Sequence, residues 1–361
     1  MERVQFSQAY PARLKVGVVG TGSAVQGWLL PCFQLAPVEL VAVADPNTAR
    51  GLAVARQVGA RHFYPNHKAM LAQEHLDAVF MSLEANEQGA LPYAEMAEYA
   101  LKQGVHTWVD TPACGSLTEI KQMTYGLNSR GKRLQMNVPR MFAPVYNKVN
   151  ELIHSELFDS PSSFALRYPA ALPPTEARGN SLVMLPFLTD FMQAYSIPLC
   201  LFGECDGFSY LRSPLGDVVM HLYYRSGLVG SLHLTGSQAE SSPNERLEVV
   251  GNGANLVAEN ATRLTYYRAE ADDNIEQPGT ALSFIGGESS APLVWQPTMA
   301  PGMLAEDSRF ISGYLGSVLQ FCNALLENKP PRRGNISDLM HMVVVYEKLK
   351  SSPEKQWLSL F

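Results

Sequence analysis

The sequence predicts an α/β fold, with an N-terminal doubly wound parallel sheet over residues 14–140 and an α+β domain carrying an open, mostly antiparallel sheet over residues 141–361. Three observations predict it. An apolar run, Val16–Val19, is broken by Gly20-Thr21-Gly22 and followed by a helical pattern. Short apolar runs then alternate with amphipathic stretches as far as about residue 140. From about residue 160 the texture changes to short alternating strands separated by Gly, Ser and Asn turns. The first pattern belongs to a parallel sheet covered on both faces, the second to an antiparallel sheet packed on helices.

Predicted strands of the first domain are Val16–Val19, Leu40–Ala44, Asp77–Ser82, Val105–Val109 and Arg133–Val138. Between them helices are expected at Ala24–Gln34, Thr48–Val58, His67–Gln73, Tyr93–Gln103 and Leu117–Ser129. Ser116-Leu-Thr-Glu119 is a capping box, in which both side chains satisfy backbone donors at the start of the last of these helices. Residues 1–13 read as a tail, and Val145–Leu157 as a crossover helix into the second domain. There strands are expected at Phe164–Tyr168, Val218–Tyr224, Leu228–Thr235, Arg246–Val250, Asn255–Ala258 and Leu264–Tyr267, the second and third joined as a hairpin by Arg225-Ser226-Gly227. Residues 270–305 read as a long loop, and helical patterns return at Phe310–Leu326 and Ile336–Lys350. The C-terminal helices are expected to pack back toward the first domain.

A strand, a glycine turn and a helix start together make a phosphate cradle. Gly20 permits the tight turn and Gly22 the close backbone approach of a pyrophosphate. Ser23, Ala24 and Val25 open the helix, whose first N–H groups are unpaired and lie at the positive end of its dipole. Val25 stands where the Rossmann fingerprint has Gly or Ala, and its bulk sets the helix further from the strand. Asp45 ends the second strand, 23 residues beyond Gly22, near the spacing of roughly 20 at which a carboxylate accepts from an adenosine ribose. Asp45 also fits as the opening of the next helix, with Asn47 as N-cap. The carboxylate favours NAD(H) over NADP(H), because it repels a 2′-phosphate; Thr48 and Arg50 nearby act in the opposite sense.

Composition sets wide bounds. The chain has 361 residues, more than one core usually serves, with 46% hydrophobic and 17% charged residues. A net charge of −6 without any basic run argues against nucleic acid or an anionic membrane as partner. Cys32, Cys114, Cys200, Cys205 and Cys322 are an odd count without metal-ligand spacing, which points to free thiols in a reducing compartment. No apolar segment fits a signal peptide, and no run of the sequence approaches a membrane span, so a cytoplasmic location is expected. No metal site is expected. His221 and His233, across the hairpin, lack the carboxylate or cysteine companions of one; they fit a sheet face that meets a neighbouring subunit.

Across residues 14–350 the chain resembles the Gfo/Idh/MocA oxidoreductases. The likeness is carried by Gly20-Thr-Gly22 with Leu29-Leu-Pro31, Val41-Ala-Val-Ala-Asp45, and Tyr93-Ala-Glu-Met-Ala-Glu-Tyr-Ala-Leu-Lys-Gln-Gly104. Asn137-Val-Pro-Arg140-Met-Phe-Ala-Pro144 and Asn328-Lys-Pro-Pro-Arg continue it. The resemblance implies a Rossmann domain, an open mixed sheet, a nicotinamide cofactor and, often, sugars or cyclitols as substrates. It also exposes departures. Where the family usually has Glu-Lys-Pro, this chain has Asp110-Thr111-Pro112; a threonine cannot stabilise an alkoxide as an ammonium does. Where the family has Asp-x-x-x-His, Met184 and Phe187 or Leu188 stand here, and Tyr93 replaces a customary histidine.

Two functions fit this pattern. One is an NAD(P)-dependent oxidoreductase acting on a sugar-like, imine or conjugated small molecule, with Asp110, Tyr93, Tyr168 and Asp190 as candidate proton-transfer groups. The other is a catalytically silent relative that binds the cofactor as a regulatory or assembly protein. Ser82 and Glu84 follow the third main strand, at the carboxyl edge where open α/β sheets take ligands, and with Asp110, Thr111, Pro112 and Arg140 complete the expected cofactor contacts. By the resemblance Arg140 lies at the cleft mouth, where it either orients an anionic group or ties the domains together. A homodimer or tetramer formed through the C-terminal sheet is the expected assembly.

Overall fold

The computed structural model describes residues 10–156, 158, 160–239, 241–268, 291–297 and 307–360. In chain order the first elements are β1 (Leu14–Val19), α1 (Leu30–Phe33), β2 (Val38–Ala44), α2 (Thr48–Val58), β3 (His62–Tyr64) and α3 (His67–Gln73). Next come β4 (Ala78–Met81), α4 (Tyr93–Lys102), β5 (His106–Val109), α5 (Leu117–Arg130), β6 (Leu134–Met136), α6 (Pro144–Ile153), β7 (Ser163–Tyr168) and α7 (Ser181–Phe202). They are followed by β8 (Gly207–Arg212), β9 (Val218–Tyr223), β10 (Val229–Leu234), β11 (Arg246–Val250), β12 (Asn255–Glu259), β13 (Arg263–Tyr267) and β14 (Leu293–Trp295). The last are α8 (Ser308–Ile311), α9 (Tyr314–Leu326), α10 (Ile336–Ser351) and β15 (Leu358–Ser359).

The chain divides into two compact units: residues 1–142, 178–196 and 312–347, and residues 143–177, 197–311 and 348–361. In the first unit six parallel strands run in the order β3-β2-β1-β4-β5-β6. Every residue of β4 is buried, as a central parallel strand requires. Phe80 of β4 meets Trp108 of the adjacent β5, Phe33 of α1 and Phe321 of α9, the last edge to face at 5.5 Å. Thus α9, more than two hundred residues later in the chain, completes this core.

In the second unit nine strands run β14-β13-β12-β11-β7-β10-β9-β8-β15. All pairs are antiparallel except β7 with β10, because α7 intervenes before the chain re-enters at β8 and meanders back to β7. One face is buried through Phe164, Leu166, Leu232 and Leu234, with Phe164 stacked on Phe202 at 4.6 Å. The opposite face stays partly open, and β10 alternates across the two faces as its sequence predicts.

Several elements depart from the sequence expectation. The strand β3 was not predicted; it has three residues at a sheet edge, too few to show a period. α7 was not predicted as a helix, and its apolar residues hide any amphipathic period, as do Pro186 and Pro198 inside it. By length and composition α7 could cross a membrane, contrary to the expectation that no run is long enough. Yet 61% of its most apolar window is buried within the protein, as in a core helix. The expected helix 310–326 is two pieces, broken where Gly313 takes φ 92°. Strands β8 and β15 were also unpredicted, and β14 lies inside the expected 270–305 loop, of which only residues 291–297 are among the described ones. Most of the tail at 1–13 is likewise outside them.

Candidate functional site

The glycine turn explains itself atom by atom. Gly20 takes φ 95°, and a Cβ there would lie 2.1 Å from the Ser82 carbonyl oxygen. At Gly22 a Cβ would lie 2.5 Å from the Glu84 carboxylate. Both positions therefore need glycine, one for its backbone angle and one for close approach. The helix begins at Ser23 and Ala24, both exposed, and Val25 is fully buried. From Val25 to Leu29 it adopts π geometry, closed by Leu30 N–H donating to the Val25 carbonyl.

Asp45 is 1% exposed and held by three donors. Thr21 Oγ1 donates at 2.6 Å, Asn47 N at 2.7 Å and Arg50 Nη2 at 3.2 Å. Asn47 caps α2 by accepting from Arg50 N, so Asp45 both precedes a capped helix and keeps its carboxylate at the turn. A pocket of about 320 Å³ opens here, lined by Gly20, Gly22, Asp45, Arg50, Ser82 and Glu84. His67 also lines it; its Nε2 is buried with no hydrogen-bond partner, and burial pushes the ring's pKa down, keeping it neutral. Sequence reasoning did not single out His67, which reads there as an ordinary residue of α3. A cradle that a Cβ would fill, a helix start and a buried carboxylate fit the phosphates and ribose of a dinucleotide.

A second polar cluster shares Ser82. Asp110 follows β5 and its carboxylate is buried, yet it accepts four hydrogen bonds. Thr111 N (3.0 Å) and Asn137 Nδ2 (2.7 Å) reach Oδ1; Ser82 Oγ (2.8 Å) and Tyr314 Oη (2.9 Å) reach Oδ2. Burial raises its pKa, and the donors, Asn137 foremost, oppose the rise. Tyr93 accepts from Leu83 N at 2.7 Å, and burial pushes its hydroxyl far above the ordinary tyrosine range. The Thr111 hydroxyl donates to the Asn137 carbonyl, and Pro112 is buried beside it in the chain. Tyr314 and Asn137 were not singled out as members of this cluster. No local signal finds Tyr314, because its partner lies 204 residues away.

Arg140 occupies a 3-10 turn, Pro139–Phe142. Its N–H donates to Gln193 Oε1 at 3.3 Å and its guanidinium to the Ser312 carbonyl at 3.4 Å. Asp190 lies one helical turn before Gln193, on the same face of α7. Burial alone lifts the Asp190 carboxyl from 3.8 to about 6. Met184, Phe187 and Leu188 turn into the core instead, Phe187 packing on Phe191 and on Tyr346 of α10. Tyr168 belongs to the other unit, buried at the end of β7 and paired with Leu234. There His221 pairs with Ser231 and His233 with Val219, on the open face; among the described residues no cluster suits a metal ion.

Residues 14–138 match the profile of the oxidoreductase family GFO_IDH_MocA, with its NAD-binding Rossmann fold. A D-xylose 1-dehydrogenase (NADP(+)) from Haloferax volcanii is 28% identical over 156 residues. That alignment covers 42% of this chain and 46% of the relative, so the chain matches about half the relative's length. Among solved structures, a dehydrogenase from Chromobacterium violaceum superposes with TM-score 0.74 at 22% identity, covering 94% of this chain and 95% of the other. A levoglucosan dehydrogenase in complex with NADH and levoglucosan superposes with TM-score 0.76 at 13% identity, covering 96% and 99%. These likenesses establish the fold across both units.

Proposed function

We propose that this protein is an NAD(P)-dependent oxidoreductase that moves a hydride to or from a small, sugar-like molecule without a catalytic lysine or histidine. The observation that carries the reading is the pocket at the glycine turn, with its buried Asp45. A nicotinamide coenzyme bound there would supply the hydride acceptor or donor. Gly20, Gly22 and the N–H groups from Ser23 to Val25 would hold its phosphates, and Asp45 its ribose hydroxyls. NAD(H) is the preferred form, because Asp45 opposes a 2′-phosphate; the Haloferax relative is named for NADP(+), so the choice must be measured.

The protein's own groups divide the remaining work. Asp110 has four donors and serves to fix Ser82, Asn137 and Thr111 in place. Asp190, lifted by burial to about 6, is the group best suited to give or take the substrate proton. Arg140 would orient a polar substrate or the coenzyme amide. The relatives named for xylose and levoglucosan support a polyhydroxylated substrate. The open face of the nine-stranded sheet, with exposed Leu211, Tyr223 and Val229, supports assembly into a dimer or tetramer. Five cysteines, none in a disulfide, suit a reducing cytoplasm.

A second reading, a coenzyme-binding protein without turnover, is favoured by the saturated Asp110 and the core-facing Met184, Phe187 and Leu188. Fluorescence titration with NADH and NADPH, followed by turnover assays on sugars, ketones, imines and conjugated compounds, separates the two. Turnover of a sugar with an oxidised coenzyme supports the enzyme. Tight binding without turnover on any class selects the second reading, and no coenzyme binding refutes both. Asp45→Ala is expected to weaken NADH more than NADPH; equal losses would remove Asp45 from ribose recognition.

A further inference from the structure

Arg50 holds three acceptors at the rim of the nucleotide pocket. Its Nε donates to Thr21 Oγ1 at 3.1 Å, Nη1 to Glu84 Oε2 at 2.9 Å and Nη2 to Asp45 Oδ2 at 3.2 Å. Among the described residues lining the pocket it is the one permanent cation, since the other basic group there, His67, is kept neutral by burial. The two carboxylates that neutralise it are held very differently. Asp45 is 1% exposed and also accepts from Thr21 and Asn47, whereas the Glu84 side chain is 58% exposed. Glu84 is thus the exchangeable partner, and its carboxylate lies against Gly22.

We propose that Glu84 is the residue that makes this pocket discriminate between a ribose 2′-hydroxyl and a 2′-phosphate, by keeping Arg50 engaged and unavailable to the phosphate. The proposal rests on the reading that the pocket holds a nicotinamide dinucleotide. Arg50, Asp45 and Glu84 together carry one net negative charge. A 2′-phosphate entering beside Asp45 meets that charge, and it must take Arg50 from Glu84 to be compensated. A neutral 2′-hydroxyl meets no such barrier. The pyrophosphate, which both coenzymes carry, feels the Glu84 carboxylate near Gly22 equally in each. The ratio of the two affinities therefore isolates the effect on the 2′-position.

Sequence position hides this role. Asp45 at the end of β2 is where cofactor choice is ordinarily read, but Glu84 follows β4 and is 34 residues from Arg50. The pair closes across the turn only because β1 runs between β2 and β4 in the sheet.

The test is isothermal titration of NADH, NADPH, ADP and 2′,5′-ADP against the full chain, its Glu84→Gln variant and the double variant Glu84→Gln/Arg50→Gln. Wild type should prefer NADH. Glu84→Gln should tighten NADPH and 2′,5′-ADP by about 5- to 20-fold relative to NADH and ADP, and 0.5 M salt should shrink that gain. The double variant should lose it. An equal shift for both coenzymes, no shift, or a gain that survives loss of Arg50 overturns the proposal, as does a wild type that prefers NADPH. If wild type binds NADH but Glu84→Gln leaves the ratio of the two affinities unchanged, only this inference falls; if wild type binds neither coenzyme nor fragment, the underlying reading falls with it. Circular dichroism and thermal melts of each variant establish that the fold is intact.

Discussion

Replacing Asp190 with asparagine is expected to stabilise the protein, and only at the higher pH. The carboxyl is lifted from 3.8 to about 6 by burial, a rise of about 2 units, and each unit is worth about 1.4 kcal/mol. The upper limit is therefore roughly 3 kcal/mol, and partial exposure to solvent reduces it to about 1–2 kcal/mol. The sign follows from which state binds the proton more tightly. The folded protein does, so stability is fully present below the ordinary value near 4 and is lost as pH rises through 6. Asparagine matches the neutral carboxyl in shape and never ionises. Urea denaturation should show the two proteins equal near pH 4, about half of the full gain at pH 5, and the full gain of about 1–2 kcal/mol for Asp190→Asn at pH 8. A variant less stable than wild type at pH 8, or a gain that does not change with pH, would refute the account of Asp190 as a desolvated acid. Once a turnover assay is in hand, the same variant serves a second purpose. If Asp190 moves the substrate proton, kcat/KM has a limb near pH 6 that disappears in Asp190→Asn.

Two other perturbations probe the site. Gly20→Ala places a Cβ on the Ser82 carbonyl at a positive φ, where backbone cannot yield, and should cost about 3 kcal/mol or more in thermal or urea unfolding. Gly22→Ala meets only the flexible Glu84 side chain, so it should leave stability within about 1 kcal/mol while weakening NADH about tenfold by titration. Equal effects of the two on stability would contradict their different reasons for being glycine. Tyr314→Phe removes one of two donors to Asp110 Oδ2 and should destabilise by about 1.5–3 kcal/mol at pH 7, with the Asp110 pKa driven further up. A neutral effect would mean that water replaces the hydroxyl.

What could be read without the structure was whatever the chain states locally. Ser116 caps α5 as expected, its Oγ accepting from Glu119 N, while the Glu119 carboxylate accepts from Ser116 Oγ and from Gly115 N, one residue before the cap. The hairpin β9–β10 forms where its turn predicts. By contrast β3 has too few residues to show a period, and α7 too many apolar ones. α9 reads as a helix, but nothing in its sequence says that it packs against Phe80 beneath β4.

The glycine turn was legible in the linear chain. Val16–Val19, Gly20, Gly22 and Asp45 lie within about thirty residues, and strand period, glycine conformation and carboxylate spacing are properties of neighbouring residues. The rest came from packing between distant segments. It paired Glu84 with Arg50, gave Asp110 its donor from Tyr314, and buried the Asp190 carboxyl until its pKa neared 6. Charge state and hydrogen-bond satisfaction depend on which surfaces exclude water together, and packing brings those surfaces from segments far apart in the chain.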